Sequence, residues 1–508
     1  MRLKGILVFG LLVLCVVAVL PTAVAATTYN VTSADDFWNV SKLTQSTSGM
    51  DVVINVKNDI SFSVYHDIVF SNATVLINGG NKNITLVGSH DSAGIVVQNS
   101  NVTVKNLNFK NSNSSNSNNI SLIGSVGRDS LIIDGCNFEN NTVRYLISRI
   151  YPSGVGSVKV SNCDFLNNTA YLIYVANNTT SFNVDNVTVL GNKYNAQGCL
   201  FGAVQVDNVI FNDLKVRNNT VSLIGFSLSR VNSFLIENCT IENNTMPFFA
   251  GSTIATWFDV GNSSGIIRSN YFGNSVGGSS NNNSTLFWFS NSDVEIKQNT
   301  FYLNDFSTFV TTRLGGSVKV LFNTVYGTEQ SQGDVFSFGN LFVTSAEYVN
   351  YFGSNQPALN GGKTKSIKLS DKEENFALNK ISLADYQLNV GINPNSDTDQ
   401  SGKKRIYGSA VDYGSLELQT NPIQNIIDNI VDIFKPKPTD DLNSDGLDDS
   451  GLFSKTKPSM IMFLFGDDPF LKRTQSLLYF IVSNWVKLDV PIISDVSQGF
   501  INVVGWES

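Results

Sequence analysis

"LIIDGCNFENN" occupies residues 131–141, and "VKVSNCDFLNN" at 158–168 repeats its apolar third and eighth places. Seven further windows align with this pair: VTVKNLNFKNS from 102, FNVDNVTVLGN from 182, VIFNDLKVRNN from 209, FLIENCTIENN from 234, GIIRSNYFGNS from 265, VEIKQNTFYLN from 294 and VKVLFNTVYGT from 318. The third place is apolar in all of them: Val104, Ile133, Val160, Val184, Phe211, Ile236, Ile267, Ile296 and Val320. So is the eighth: Phe109, Phe138, Phe165, Val189, Val216, Ile241, Phe272, Phe301 and Val325. Alternation with a period of two before the turn marks a strand, not a helix. Such a short strand cannot bury itself, and one that recurs every 24–31 residues must stack on its own copies. The windows therefore predict an all-β solenoid, a right-handed parallel β-helix whose successive coils pair about 4.8 Å apart.

The sixth place reads Leu107, Cys136, Cys163, Val187, Leu214, Cys239, Asn270, Asn299 and Asn323. It is expected to form an inward ladder, with the asparagine amides hydrogen-bonding along the axis. For Cys136 and Cys163 two readings stand: stacked buried thiols, or a bridge of the kind exported proteins carry. After the eighth place the strand must turn, and asparagine tolerates the left-handed conformation that sharp turns need. The same letters are N-glycosylation acceptors. Asn140, Asn167, Asn218 and Asn243 all begin N-x-T at one offset, which predicts a single exposed edge.

The ends and the composition bound the class. Residues 1–25 have a basic start (Arg2, Lys4), an apolar run from Gly5 to Leu20 and Ala23-Val24-Ala25, the layout of a cleaved secretory signal. The mature chain is then secreted or at the cell surface. A net charge of −8, only 15% charged residues and no basic stripe argue against a nucleic-acid partner. Residues 26–50 read as an N-terminal cap, with Ser33 at the N-cap of a helix and Asp35 and Asp36 in its first turn. The β-helix is expected over 51–345 and a helix-closing module over 346–420. Residues 421–457 form an acidic linker spaced by Pro436 and Pro438. Residues 458–508 are a small C-terminal segment of helical character. Its stretch Leu471–Leu488 is too short in its apolar middle for the roughly 20 residues a bilayer needs, so no transmembrane span is expected in the mature chain.

Within the linker, "DLNSDGLDD" (441–449) sets Asp441, Asn443, Asp445 and Asp449 at places 1, 3, 5 and 9 of a calcium loop. Gly446 sits at the turn, and the carbonyl of Leu447 serves place 7. Place 12 is Leu452, not a bidentate acid, which lowers the expected affinity for calcium; the other reading is a solvated acidic linker.

Two more stretches carry a resemblance. "NYFGSNQP" (350–357) is similar to a closing signature of β-helix surface proteins. Residues 384–419 match a terminal module of exported β-helix proteins at Asp385, Tyr386, Leu388, Asp397, Asp399, Arg405, Ile406, Gly408, Asp412, Gly414 and Glu417. With the stacked windows, the chain resembles the pectin-lyase-like β-helix superfamily in the style of the adhesin-like surface proteins of methanogenic archaea. That resemblance implies an adhesin-like protein whose polar face binds carbohydrate or a cell-surface partner. It also raises two alternatives: a polysaccharide lyase or glycoside hydrolase, and a structural cell-envelope component. A hydrolase needs carboxylates converging on one face. Here Asp134, Asp185 and Glu237 share the fourth place, but coils without an acid there separate them; His66 and His90 stand apart. No catalytic residues are assigned, and an enzyme is the less favoured reading. Tyr171, Tyr174, Phe248, Phe249, Trp257, Phe287, Trp288 and Phe289 could stack sugars or fill the core.

Overall fold

The computed structural model describes residues 26–63, 68–87, 94–113, 121–150, 154–194, 199–221, 223–246, 255–277, 284–327, 330–343, 359–361, 365–367, 377–406 and 410–418. The signal-like segment, Asn350–Pro357, the calcium-loop residues and 421–508 lie outside them.

The described chain is a parallel β-helix of about ten turns. One coil shows the plan: a first strand Ser130–Asp134, a second Asn137–Glu139 and a third Thr142–Arg149. The next coil repeats it in parallel, with Ile133 opposite Val160 and Phe138 opposite Phe165. Each third-place residue pairs with the next, from Val104 to Val320. The eighth place does the same from Phe109 to Val325. Both columns are buried throughout. In the eighth column Phe109, Phe138 and Phe165 stack with ring centroids 4.9 and 4.8 Å apart. Parallel strands impose that spacing, which suits offset aromatic stacking.

The corners explain the asparagines. At the first corner Asn162 and Asn186 have φ of 55° and 51°; at the second Asn140, Asn167, Asn218 and Asn243 have φ of 53–56°. Each is followed by a residue facing inward. The sixth-place ladder forms as expected: Asn270 donates to Asn299, Asn299 to Asn323 and Asn323 to Asn340, at 2.9–3.0 Å. Cys136 and Cys163 are buried free thiols in this ladder, and the Cys136 amide donates to Cys163 Sγ at 3.4 Å.

A second ladder, at the eleventh place, was not foreseen. Asn141, Asn168, Asn192, Asn219 and Asn244 are buried, each side-chain amide donating to the next at 2.9–3.1 Å. Each Nδ2 also donates to a carbonyl of the preceding coil, for example Asn168 to Phe138 at 2.8 Å. Each Oδ1 accepts a backbone amide as well, for example Asn168 from Asn141 at 3.0 Å. Burying a polar amide is tolerable only when its hydrogen bonds are made, and here they are.

One buried ion pair braces the corner after the third strand. Arg149 and Asp129 lie 3.1 Å apart with no exposed side-chain surface. Arg149 also donates to Thr179, Ser125 and the carbonyls of Gly127 and Gly154, while Asp129 accepts from Ser125 and Asn99. With its hydrogen bonds filled, such a pair can offset its desolvation.

At the N-terminal end helix α1 (Ala34–Ser46) packs on the first coils behind the Ser33/Asp36 capping box, as expected. Thr27–Val31 before it already pairs in parallel with Asp51–Val56. Residues 377–406 and 410–418, with helix α2 (Leu383–Val390), lie against the outside of the last coils. Gln400 bonds the carbonyl of Asn270 and the hydroxyl of Thr300, and Ser415 bonds Thr324. Phe322 takes the fifth place with φ of 53°, a costly conformation for an aromatic residue. Tyr386 at 4.8 Å and the Arg405 guanidinium at 4.4 Å hold its ring.

Candidate functional site

The outer side of the third strands carries the most distinctive surface. Inward, Ile147, Ile173, Phe201, Phe226, Phe258, Phe287 and Val310 form a fully buried column. Side chains alternate along a strand, so the residues that follow face outward. Their register runs Ser148, Tyr174, Gly202, Ser227, Asp259, Trp288, Thr311. Tyr174, Ser227, Asp259 and Trp288 are half-buried.

Aromatic side chains bracket small ones here. Tyr145, Tyr171 and Tyr174 form a cluster with centroids 4.9–5.8 Å apart. The Tyr174 ring lies over Gly202, where an added Cβ would come within 2.5 Å of it. At the other side the Arg313 guanidinium sits 4.5 Å over Trp288. Between them Ser227 and Asp259 are half-buried, whereas Gly202 is buried beneath the Tyr174 ring and beside the Cys199 thiol. Four parallel steps separate Tyr174 from Trp288, about 19 Å at the usual strand spacing. Among the described residues Asp259 has neither hydrogen bond nor ion pair, and burial alone lifts its carboxyl above the ordinary 3.8.

The expected sugar-stacking aromatics divide. Trp257, Phe287 and Phe289 are buried. Tyr171, Tyr174 and Trp288 belong to the outer face, and Phe248 and Phe249 lie outside the described residues. The sequence reading missed Gly202, Ser227 and Asp259, because only the register shows that residues 25–32 apart in the chain are neighbours.

The fourth-place acids are engaged separately. Asp134 accepts from Ser161 and Asn162, and the Asn162 bond chiefly holds its carboxyl below the ordinary range. Asp185 accepts from Asn212 at 2.6 Å, and Glu237 pairs with Arg268 at 2.8 Å. The residues behind the terminal-module resemblance bond mainly to one another. Asp399 accepts the amides of Ser401, Lys403 and Glu417; Asp412 accepts those of Asn379 and Leu418; Arg405 donates to the carbonyls of Asp412 and Gly414. Leu388 is exposed.

Asn140, Asn167, Asn218 and Asn243 are all exposed at the second corner, in one line along the rod. The second asparagine of each triplet is the buried ladder residue, and the threonine starts or leads into a strand. The two asparagines of the pattern thus serve the turn and the ladder, whether or not the first is modified. Near the end of the stack a gap lined by Leu286, Phe301, Asn304, Phe306, Phe309, Val325 and Tyr326 is mostly apolar and too small for a sugar ring. No described helix is long and apolar enough to cross a membrane.

No family model matches the chain, and no curated protein does. Among solved structures it is similar to the periplasmic alginate epimerase AlgG, with 12% identity over 62% of this chain and 83% of that one and a TM-score of 0.37. It is also similar to the A-module of the Azotobacter vinelandii mannuronan C-5 epimerase AlgE4, with 11% identity over 64% and 98% of the two chains and a TM-score of 0.29. Pectate lyase Pel9A is 12% identical over 78% of this chain and 97% of that one, with a TM-score of 0.30.

Proposed function

We propose that the protein is an exported, adhesin-like β-helix that holds carbohydrate on the outer face of its third strands. The observation that carries this reading is the bracketed acid: Tyr171, Tyr174 and Trp288 on either side of the half-buried Ser227 and Asp259. Aromatic rings offer flat apolar area to the C–H face of a sugar and lose little side-chain entropy doing so. Half-buried Ser227 lies beside Asp259, whose carboxyl, without a hydrogen bond or ion pair among the described residues, can accept hydroxyl hydrogens. Sparse surface charge and a signal-like start support a role outside the cell. A glycan array probed with the mature chain and with Trp288→Ala tests the reading. Retention by some glycan, lost at least tenfold in the variant, is expected; identical profiles, or no retention, would overturn it.

The exposed asparagine edge is proposed as a glycosylated edge in a host that modifies exported proteins, and the 441–449 loop as a weak calcium site. The reading expects no turnover of pectate or polygalacturonate with or without calcium. Cleavage that vanished with Asp259→Asn would favour the lyase or hydrolase alternative.

A further inference from the structure

The same face suggests which glycans it accepts. We infer, resting on the carbohydrate reading above, that the ligand is a neutral pyranose chain, free of carboxylates, seated between Tyr174 and Trp288 with its hydroxyls on Asp259. The register leaves one acid at the centre of this face and no base beside it: the vertical neighbours of Asp259 are Ser227 and Trp288. The cations near this face sit at its margins, Arg144 over Tyr145 at 5.2 Å and Arg313 over Trp288 at 4.5 Å.

A uronate polymer would bring a carboxylate with every ring. At least one would fall beside Asp259, where partial burial removes the water that screens like charges in solution. A neutral chain brings only hydroxyls. A carboxyl without a partner among the described residues can accept two of them, and hydrogen bonds to an ionised acceptor are the stronger kind. Stacking on Tyr174 and Trp288 needs only the apolar face of a sugar and does not discriminate by charge. The aromatic rings thus supply general affinity, and Asp259 selects against acidic polymers.

Affinity electrophoresis of the full mature chain in gels containing a neutral mannan, a neutral β-glucan, alginate or polygalacturonate tests this. Parent, Trp288→Ala, Tyr174→Ala, Asp259→Asn and Asp259→Lys proteins are compared after their melting curves confirm the fold. The expected result is retardation of the parent by a neutral polymer at least tenfold greater than by either uronate polymer. Trp288→Ala or Tyr174→Ala should lower it tenfold, and Asp259→Lys should shift retention toward the uronates. Stronger retardation of the parent by alginate or polygalacturonate, sensitive to Trp288→Ala, would overturn the selectivity but leave the carbohydrate reading intact. No retardation by any polymer, or retardation indifferent to both aromatic variants, would overturn both. If neither aromatic variant folds, the Asp259 pair decides: unchanged neutral-to-uronate preference in both variants would overturn the selectivity.

Discussion

Asn167 and Asn168 are consecutive residues with opposite surroundings. Asn167 is exposed at φ of 53°, whereas Asn168 is fully buried and ties three coils together through Asn141, Phe138 and Asn192. Replacing Asn168 with alanine strands several buried donors and acceptors, at about 1–3 kcal/mol each, so a loss of several kcal/mol is expected. Replacing Asn167 with alanine only puts an ordinary residue into the left-handed region, about 1–2 kcal/mol. Urea titrations of the two variants check the contrast; equal losses would mean the ladder contributes nothing beyond the turn.

Phe138 is the middle ring of a three-ring stack. Phe138→Ala should cost about 3–5 kcal/mol, since neighbours held at strand spacing cannot close the gap. Phe138→Leu should cost clearly less. Thermal melts read both, and a native-like melt for the alanine variant would refute the inward register.

Asp259 gives a pH signature. Its carboxyl is raised by burial, so the folded state prefers the neutral form more than the unfolded state does. That contribution is complete below the ordinary 3.8 and is lost as pH rises through the raised folded value. Asp259→Asn, which keeps the neutral shape, should match the parent in acid and become the more stable protein as pH approaches neutrality. Denaturant midpoints across pH 3–8 measure the gap; a gap that widened toward acid would contradict the assigned burial.

Calcium should protect the 421–457 linker if Asp441, Asn443, Asp445 and Asp449 act together. Limited proteolysis in millimolar calcium should then spare a site that chelator exposes, and Asp445→Ala should remove the difference. Identical cleavage in both conditions would leave a solvated acidic linker.

The coil was legible because two columns kept one chemical character through nine windows. The alternation of Val158 and Val160 with Ser157, Lys159 and Ser161 shows the inward face plainly. The sixth-place ladder was legible for the same reason, since its identity changes slowly from cysteine to asparagine. The eleventh-place ladder was hidden behind its neighbour: in Asn-Asn-Thr both asparagines look like turn residues, and only burial separates Asn168 from Asn167. The outer face of the third strands escaped a different way. The third strand is interrupted after its first residues by a stretch of varying length, so Gly202, Ser227, Asp259 and Trp288 share no fixed offset from the windows.

That variable stretch falls at one place in the repeat, after the first two residues of the third strand. From each ladder asparagine the third strand begins at once, at Thr142, Lys193 and Thr245, and beyond the variable stretch it resumes at Phe201 and Ala255. The inward asparagines fix the rise between coils and are indifferent to what is inserted after them. Pitch and girth are therefore separate variables in this rod. Insertions there leave the separation of Tyr174 and Trp288 unchanged, so a lineage of such proteins could change its ligand by editing loops alone, on an unaltered ruler.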